Sequence, residues 1–170
     1  YYSQNSLLVE QSTIEAEPAD ISIYTIGYQN LSIDMFINVL IKKGIQTLLD
    51  VRNKPLSYKY GFNNYWLNKY LPEFGIQYAS IPELGIEEKY RKTLSMEQLW
   101  EYYLESLKEK MGYLVRASDI VTKRSTVLMC YEMKPEDCHR SRLATKLQGL
   151  INLPIINYDV QGDQWIPLKY

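Results

Sequence analysis

The run Val127-Leu-Met-Cys-Tyr-Glu-Met-Lys-Pro-Glu-Asp-Cys-His-Arg-Ser-Arg142 decides how the rest of the chain is read. It opens with Val127 to Tyr131, an unbroken apolar stretch of strand length, which predicts a buried strand. Lys134-Pro135-Glu136-Asp137 is a polar break with turn chemistry. From Cys138 to Gly149 the spacing predicts a helix, with Leu143, Leu147 and Leu150 on one face. This order puts Cys138, His139, Arg140 and Ser141 at a helix N-terminus, just beyond the C-terminal end of a strand. Ligands of open α/β sheets bind in that position. The backbone N–H groups and the helix dipole there favour an anion, be it phosphate, carboxylate or thiolate. Both cysteines and the only histidine of the chain lie in this run.

Working back toward the N-terminus, strand and helix signals alternate. Ile21 to Ile26 reads as a strand ending at Gly27-Tyr28-Gln29-Asn30. Ser32 is placed to cap a helix with Ile33, Phe36, Ile37, Leu40 and Ile41 on one face, stopped by Gly44. Ile45 to Val51, through Ile45, Leu48, Leu49 and Val51, reads as a second strand covered on both faces, and it leads into Asp50-Val51-Arg52. A polar loop through Pro55 and Gly61 precedes a short helix from Asn63 or Asn64 to Phe74, closed by Gly75. Ile76 to Ile81 is a third strand. A charged linker, Ile86 to Thr93, is followed by a longer helix from about Ser95, with Leu99, Tyr103, Leu107 and Met111 at every fourth position. Gly112 is expected to interrupt it before a second helical piece ending near Lys123. Beyond the central run, Pro154 to Tyr158 makes a fifth strand, and Gln164 to Pro167 a short terminal one. Such alternation implies an α/β fold: a three-layer sandwich with a mostly parallel, roughly five-stranded Rossmann-like sheet, right-handed crossovers and helices on both faces.

Residues 1–20 show no sustained period and are expected to form a loosely held extension, leaving 21–170 as a single α/β domain. The 170 residues carry 46% hydrophobic and 23% charged side chains, ordinary for a globular domain that folds without disulfides. A net charge of −1 provides no global basic field, which disfavours duplex nucleic acid as the main partner. No apolar run approaches the ~20 residues of a membrane span, and no signal peptide is visible. Two cysteines are no disulfide framework, so a reduced, cytoplasmic location is expected. The composition is compatible with a homo-oligomer. Sixteen tyrosines stand against three phenylalanines; tyrosine serves as core filler with a polar tip.

In a parallel sheet the strand C-terminal ends share one edge, which collects Gly27 to Asn30, Asp50, Arg52, Glu83, Glu132 and Cys138 to Arg140. Cys138, beside His139 and Arg140, is the candidate nucleophile or redox thiol; the bland alternative is an unreactive helix-start residue. Glu132 suits a general base, or a carboxylate that orients Arg140 or His139. His139 could shuttle protons or simply hydrogen-bond at the helix start. Arg52 and Arg140 suit a bidentate clamp on phosphate or carboxylate, or structural ion pairs with Asp50 and Glu132. Gly27 and Tyr28 form a tight strand-to-helix turn on the same edge, without the G-x-G-x-x-G of a dinucleotide site. Cys130 reads as a buried small hydrophobe. Cys130, Cys138 and His139 match no paired C-x-x-C spacing, and adjacent Cys138 and His139 seldom turn to one ion, so neither metal nor cofactor is expected. The aromatic run Tyr58, Tyr60, Phe62, Tyr65, Trp66 either stacks a base or packs a loop.

Taken together, Thr25-Ile26-Gly27-Tyr28, Asp50-Val51-Arg52, Tyr60-Gly61-Phe62-Asn63, Leu84-Gly85, Cys130-Tyr131-Glu132 and Cys138-His139-Arg140 resemble the DUF488 family, small prokaryotic proteins of unestablished function. The resemblance runs from about Tyr24 to Tyr158 and implies a three-layer α/β fold. It departs at the first turn, where the family usually has histidine after the glycine and this chain has Tyr28. A partial, topological likeness to rhodanese-type domains stops at Cys138, which lacks their anion loop; position 144 is alanine rather than the arginine a phosphatase loop requires.

The leading functional expectation is a pocket on the strand C-terminal edge for a phosphate-bearing small molecule or nucleotide, a small anionic ligand. The first alternative is a cysteine-dependent sulfur- or thiol-transfer enzyme using Cys138. The second is a non-catalytic protein-interaction module.

Overall fold

The computed structural model describes residues 19–168. The extension expected over residues 1–20 lies, up to residue 18, outside the described residues. The remainder is a three-layer α/β sandwich around a six-stranded sheet. Its strands are β1 (Ile23–Gly27), β2 (Thr47–Asp50), β3 (Gln77–Ser80), β4 (Thr126–Cys130), β5 (Ile155–Asp159) and β6 (Gln164–Leu168). The spatial order is β3-β2-β4-β1-β5-β6, with β1 to β5 parallel and β6 antiparallel on the edge. Pro167 sits on that edge strand, where no further ladder needs its missing N–H.

Side chains alternate across the pleat, so each inner strand feeds two cores. Tyr24, Ile26, Leu48, Val127 and Met129 face one side, against α1 (Ile33–Lys43) and α2 (Asn64–Tyr70). Ile23, Leu49, Leu128 and Ile155 face the other, against three helices. These are α4 (Met96–Lys108), α5 (Met111–Lys123) and α6 (His139–Ile151). The remaining helix, α3 (Glu88–Thr93), buries no side chain.

Local chemistry explains the boundaries. The Ser32 hydroxyl accepts from the Met35 N–H at the start of α1, and Gly44, at φ 77°, ends it with its N–H on Leu40 and Ile41 carbonyls. Ser95 and Gln98 form a reciprocal capping box at α4. Three expectations shift. The charged stretch at 86–93 contains α3, whose polar surface, tied by Lys92 to Glu88 at 2.5 Å, shows no apolar period. The break between α4 and α5 falls at Glu109–Lys110, and Gly112 lies inside α5, leaving Met111 exposed. On α6 the buried face is Leu143, Ala144 and Leu147, while Leu150 is exposed. Among the described residues no helix is long and apolar enough to cross a membrane.

One topological fact positions the site. Strands β1 and β4 are neighbours, yet α1 follows β1 onto one face and α6 follows β4 onto the other. The two chains diverge at the C-terminal edge, and a crevice opens between them.

Candidate functional site

Three turns meet in that crevice: Gly27–Tyr28 after β1, Val51–Asn53 after β2, and Tyr131–Met133 after β4. The turn after β1 is pressed against the turn after β4. An ideal Cβ on Gly27 would lie 1.8 Å from the Glu132 carbonyl oxygen, so only glycine fits there. Gly85 is similarly pressed on the Asn53 backbone, with its Cβ direction 2.1 Å from Asn53 N.

Arg52 and Asp50 lock the wall formed by β2. Arg52 Nε and Nη2 donate to Asp50 Oδ1 and Oδ2 at 2.9 and 2.6 Å, a bidentate pair with Asp50 fully buried. Nη1 donates to the Tyr28 hydroxyl and to the Phe62 carbonyl, both at 2.8 Å. Tyr78 adds a phenol donor to Asp50 at 2.8 Å. Burial works against the Arg52 charge, but the Asp50 hydrogen bonds and charge outweigh it and hold the guanidinium protonated beyond its usual range. Burial, then the Asp50 charge, pushes the Tyr78 phenol up. Tyr28 stacks on Phe62 with ring centroids 4.2 Å apart, an aromatic plate tied to Arg52 through its hydroxyl. Of the two readings the sequence allowed for Arg52, the structure has the ion pair.

Arg140 lies beneath the surface, fully buried. Its Nη1 donates to the Glu132 carbonyl, and Nη2 to the Met133 carbonyl at 3.1 Å and Asn157 Oδ1 at 3.3 Å. It pins the turn after β4 and neither pairs with the Glu132 carboxylate nor reaches the cavity. Gly27 likewise supports that turn from behind.

The crevice itself holds a cavity of about 560 Å³. Tyr28 and Arg52 line it, together with Lys54, Lys59, Arg91, Cys130, Glu132 and His139. On its floor, Glu132 Oε1 accepts from Arg91 Nη1 at 3.0 Å, and Oε2 accepts from the Cys130 thiol at 3.2 Å. His139 is anchored at both nitrogens. Val51 O, which only accepts, lies 2.9 Å from Nε2, and Arg91 Nη2, which only donates, lies 3.2 Å from Nδ1. The ring therefore carries its hydrogen on Nε2 and turns the Nδ1 lone pair inward. Around that lone pair stand Cys130 Sγ at 3.6 Å and Cys138 Sγ at 4.0 Å. The two thiols and Nδ1 all lie within 4.8 Å of one another.

The chain belongs to the DUF488 family. The family's sequence profile, described as a domain of unknown function, matches residues 32–147. Comparison with curated proteins and with solved structures gave no match. The matched span ends inside α6 and takes in the turns after β2 and β4, and so most of the site.

Electrostatics separate the acids of this DUF488 site. Burial pushes the Cys130 thiol well up, and the neighbouring Cys138 sulfur adds to it. Burial acts on Cys138 in the same sense, but the neighbouring Cys130 thiol and His139 ring, with the charge of Arg140, outweigh it and hold that thiol well below its usual range. Burial, then Cys138, raises the Glu132 carboxyl. A nucleophile also needs access. Cys138 is fully buried and absent from the cavity wall, whereas Cys130 lines it.

Sequence reasoning brought Cys138, His139, Glu132, Arg52 and Tyr28 to one edge, and the structure gathers them. It missed Arg91, which reaches across from α3 to both Glu132 and His139. It also missed Lys54 and Lys59 on the loop, and Tyr78 beneath Asp50. Arg91 carried no local signal, because its partners are 41 and 48 residues away. Cys130 is the last residue of β4 and His139 the first of α6, so both abut the same sheet end, a meeting that the strand pattern alone does not reveal.

Proposed function

We propose that the cavity on the strand C-terminal edge binds a small phosphate-bearing molecule, of nucleotide size and class. The observation that carries this reading is a 560 Å³ cavity with Lys54, Lys59 and Arg91 on its wall. That volume lies in the usual range of small-molecule sites, about 300–1,000 Å³. Arg52 and Arg140 are spent on buried partners, so the anion contacts fall to these three cations, whose own partners are exchangeable ones at the cavity edge: Glu88 at 3.6 Å from Lys54, the Gln29 carbonyl at 2.6 Å from Lys59 and Glu132 at 3.0 Å from Arg91. Tyr58 and Tyr131, with Leu56, offer flat and apolar surface for the remainder of the ligand. The dipole of α6, whose first residue lies on the floor, adds to the attraction.

The test is calorimetric titration of AMP, ADP and adenosine into the full chain. The reading expects saturable binding of the phosphorylated compounds only, weakening with salt. Each lysine removed by Lys54→Ala or Lys59→Ala should cost about tenfold, the worth of one charge-assisted hydrogen bond at the low end of its range. No saturable binding of any of these probes, or equal binding of adenosine, would sink it.

A further inference from the structure

We propose that Cys130, Cys138 and His139 form a zinc-binding centre in the cavity floor, with the fourth coordination position open to the cavity beside Glu132. The geometry carries it. Around a tetrahedral zinc, with Zn–S near 2.3 Å and Zn–N near 2.0 Å, ligand atoms stand about 3.5–3.8 Å apart. Here Nδ1 lies 3.6 Å from Cys130 Sγ and 4.0 Å from Cys138 Sγ, and no pair of the three atoms is more than 4.8 Å apart. Shifts of well under a side-chain rotamer bring all three to bonding distance.

A second observation points the same way. The His139 ring is held by Nε2–H donating to the Val51 carbonyl, the arrangement that fixes a ligating imidazole and aims its other nitrogen. That other nitrogen already faces a cation, since Arg91 Nη2 donates to its lone pair. Metal and Arg91 compete for one lone pair. Zinc binding therefore turns Nη2 of Arg91 out, while Nη1 keeps Glu132. Two sulfurs and one imidazole select a borderline or soft ion over magnesium or calcium, which require oxygen. Two S–H bonds break, two Zn–S bonds form, both protons leave to solvent, and no electron moves. The two thiolates cancel the dication, so the buried centre is neutral.

Three protein ligands plus an open position is the pattern of a catalytic rather than a structural zinc site. Glu132 Oε2, 3.2 Å from Cys130 Sγ, borders the open position as hydrogen-bond acceptor for a water bound there. That a phosphate takes the place of this water rests on the proposed function; zinc binding itself does not.

The experiment uses the full chain purified under reductant, stripped with chelator and titrated with Zn²⁺ or Co²⁺ alone. Expected are one equivalent of zinc retained per chain before stripping, and with cobalt a near-ultraviolet thiolate-to-metal charge-transfer band that saturates at one equivalent. Cys138→Ser should lose most of that band while circular dichroism stays native. If Cys138→Ser does not fold, the wild-type titration decides alone. Glu132→Gln, which removes no ligand, should keep one equivalent. Folded wild-type protein that gives no charge-transfer band overturns the centre. So does wild-type protein whose mass is two hydrogens short, with the cysteines joined as a disulfide and no metal taken up after reduction. AMP binding by the stripped protein reads the anion pocket separately, so either proposal can fail while the other stands.

Discussion

Asp50→Asn is the sharpest probe of how the site is held. The Asp50 carboxylate accepts four hydrogen bonds, from Arg52 N, Nε and Nη2 and from the Tyr78 hydroxyl. Neither partner of the ion pair is more than 6% exposed. Asparagine keeps one acceptor oxygen but turns an amide N–H₂ toward donors, and it leaves the Arg52 charge buried without a counter-charge. Breaking a buried pair from one side costs about 3–5 kcal/mol. For a chain of this size each kcal/mol shifts the melting midpoint by about 2–4 °C, so the variant should melt roughly 6–20 °C below wild type. Urea and thermal unfolding followed by circular dichroism give both numbers. The cycle is completed with Arg52→Met, whose lone Asp50 carboxylate should be about as costly. The double variant should cost less than the two singles together, with a coupling of about 2–3 kcal/mol. A loss below about 1 kcal/mol for Asp50→Asn, the worth of an exposed pair, would refute the argument that this pair locks the wall.

Tyr28→Phe removes one acceptor from buried Arg52 Nη1, leaving Phe62 O, and should cost about 1 kcal/mol in urea titration; a neutral outcome would mean water replaces the phenol. Gly27→Ala drives a methyl into the Glu132 carbonyl and should cost at least the ~1–3 kcal/mol of core overpacking; wild-type stability would show the turn after β4 to be pliable. Tyr78 and Tyr158 have phenols raised above their ordinary value, first by burial and then by the nearby Asp50 and Asp163. A folded pKa above the unfolded one contributes stability that is whole at neutral pH and falls away as pH climbs past about 10, where the unfolded chain releases these protons first. The urea midpoint should drop between about pH 9 and 11, and Tyr78→Phe should flatten the drop; an unchanged slope in that variant would contradict the assignment.

The architecture was legible because each strand and helix is signalled by its own period. Val127 to Tyr131 is apolar throughout, and Ile45, Leu48, Leu49 and Val51 carry the same signal on β2, since both faces of an inner strand are covered. Leu99, Tyr103 and Leu107 mark α4 because one face of it is buried in the core against α5 and α6. The failures are where that signal is missing. Helix α3 half-buries Tyr90 alone against the core, so it has no stripe to read, and its Arg91 gains meaning only from residues far along the chain. Cys130 looked like an ordinary strand residue. Its thiol becomes part of a cluster because β4 ends where α6 begins, and the alternation of strand faces does not say which strand-end side chain will meet which helix cap. The adjacent Cys138 and His139 were expected to diverge. They converge because Cys138 is still extended, at φ −122° and ψ 142°, while His139 opens the helix.

Arginine identity was easier to read than arginine purpose, and the difference is physical. A guanidinium has five N–H groups, and it clamps a ligand only with those the protein does not use. Arg52 spends Nε, Nη1 and Nη2 on Asp50, Tyr28 and Phe62. Arg140 spends Nη1 and Nη2 on carbonyls and Asn157, and keeps only a buried Nε unpartnered. Arg52 braces the turns after β1 and β2, and Arg140 braces the turn after β4 against α6 and β5. Arg91 differs: its side chain is about a third exposed, it arrives from a helix outside the core, and its partners Glu132 and His139 are themselves site residues. A cation held by the site's own acid and base is displaced whenever either takes up a ligand. On this account Arg52 and Arg140 set the stability of the crevice, and Arg91 sets its occupancy. Arg91→Gln should therefore change ligand or metal affinity while leaving the urea midpoint near wild type, and the reverse result would reassign Arg91 to the scaffold.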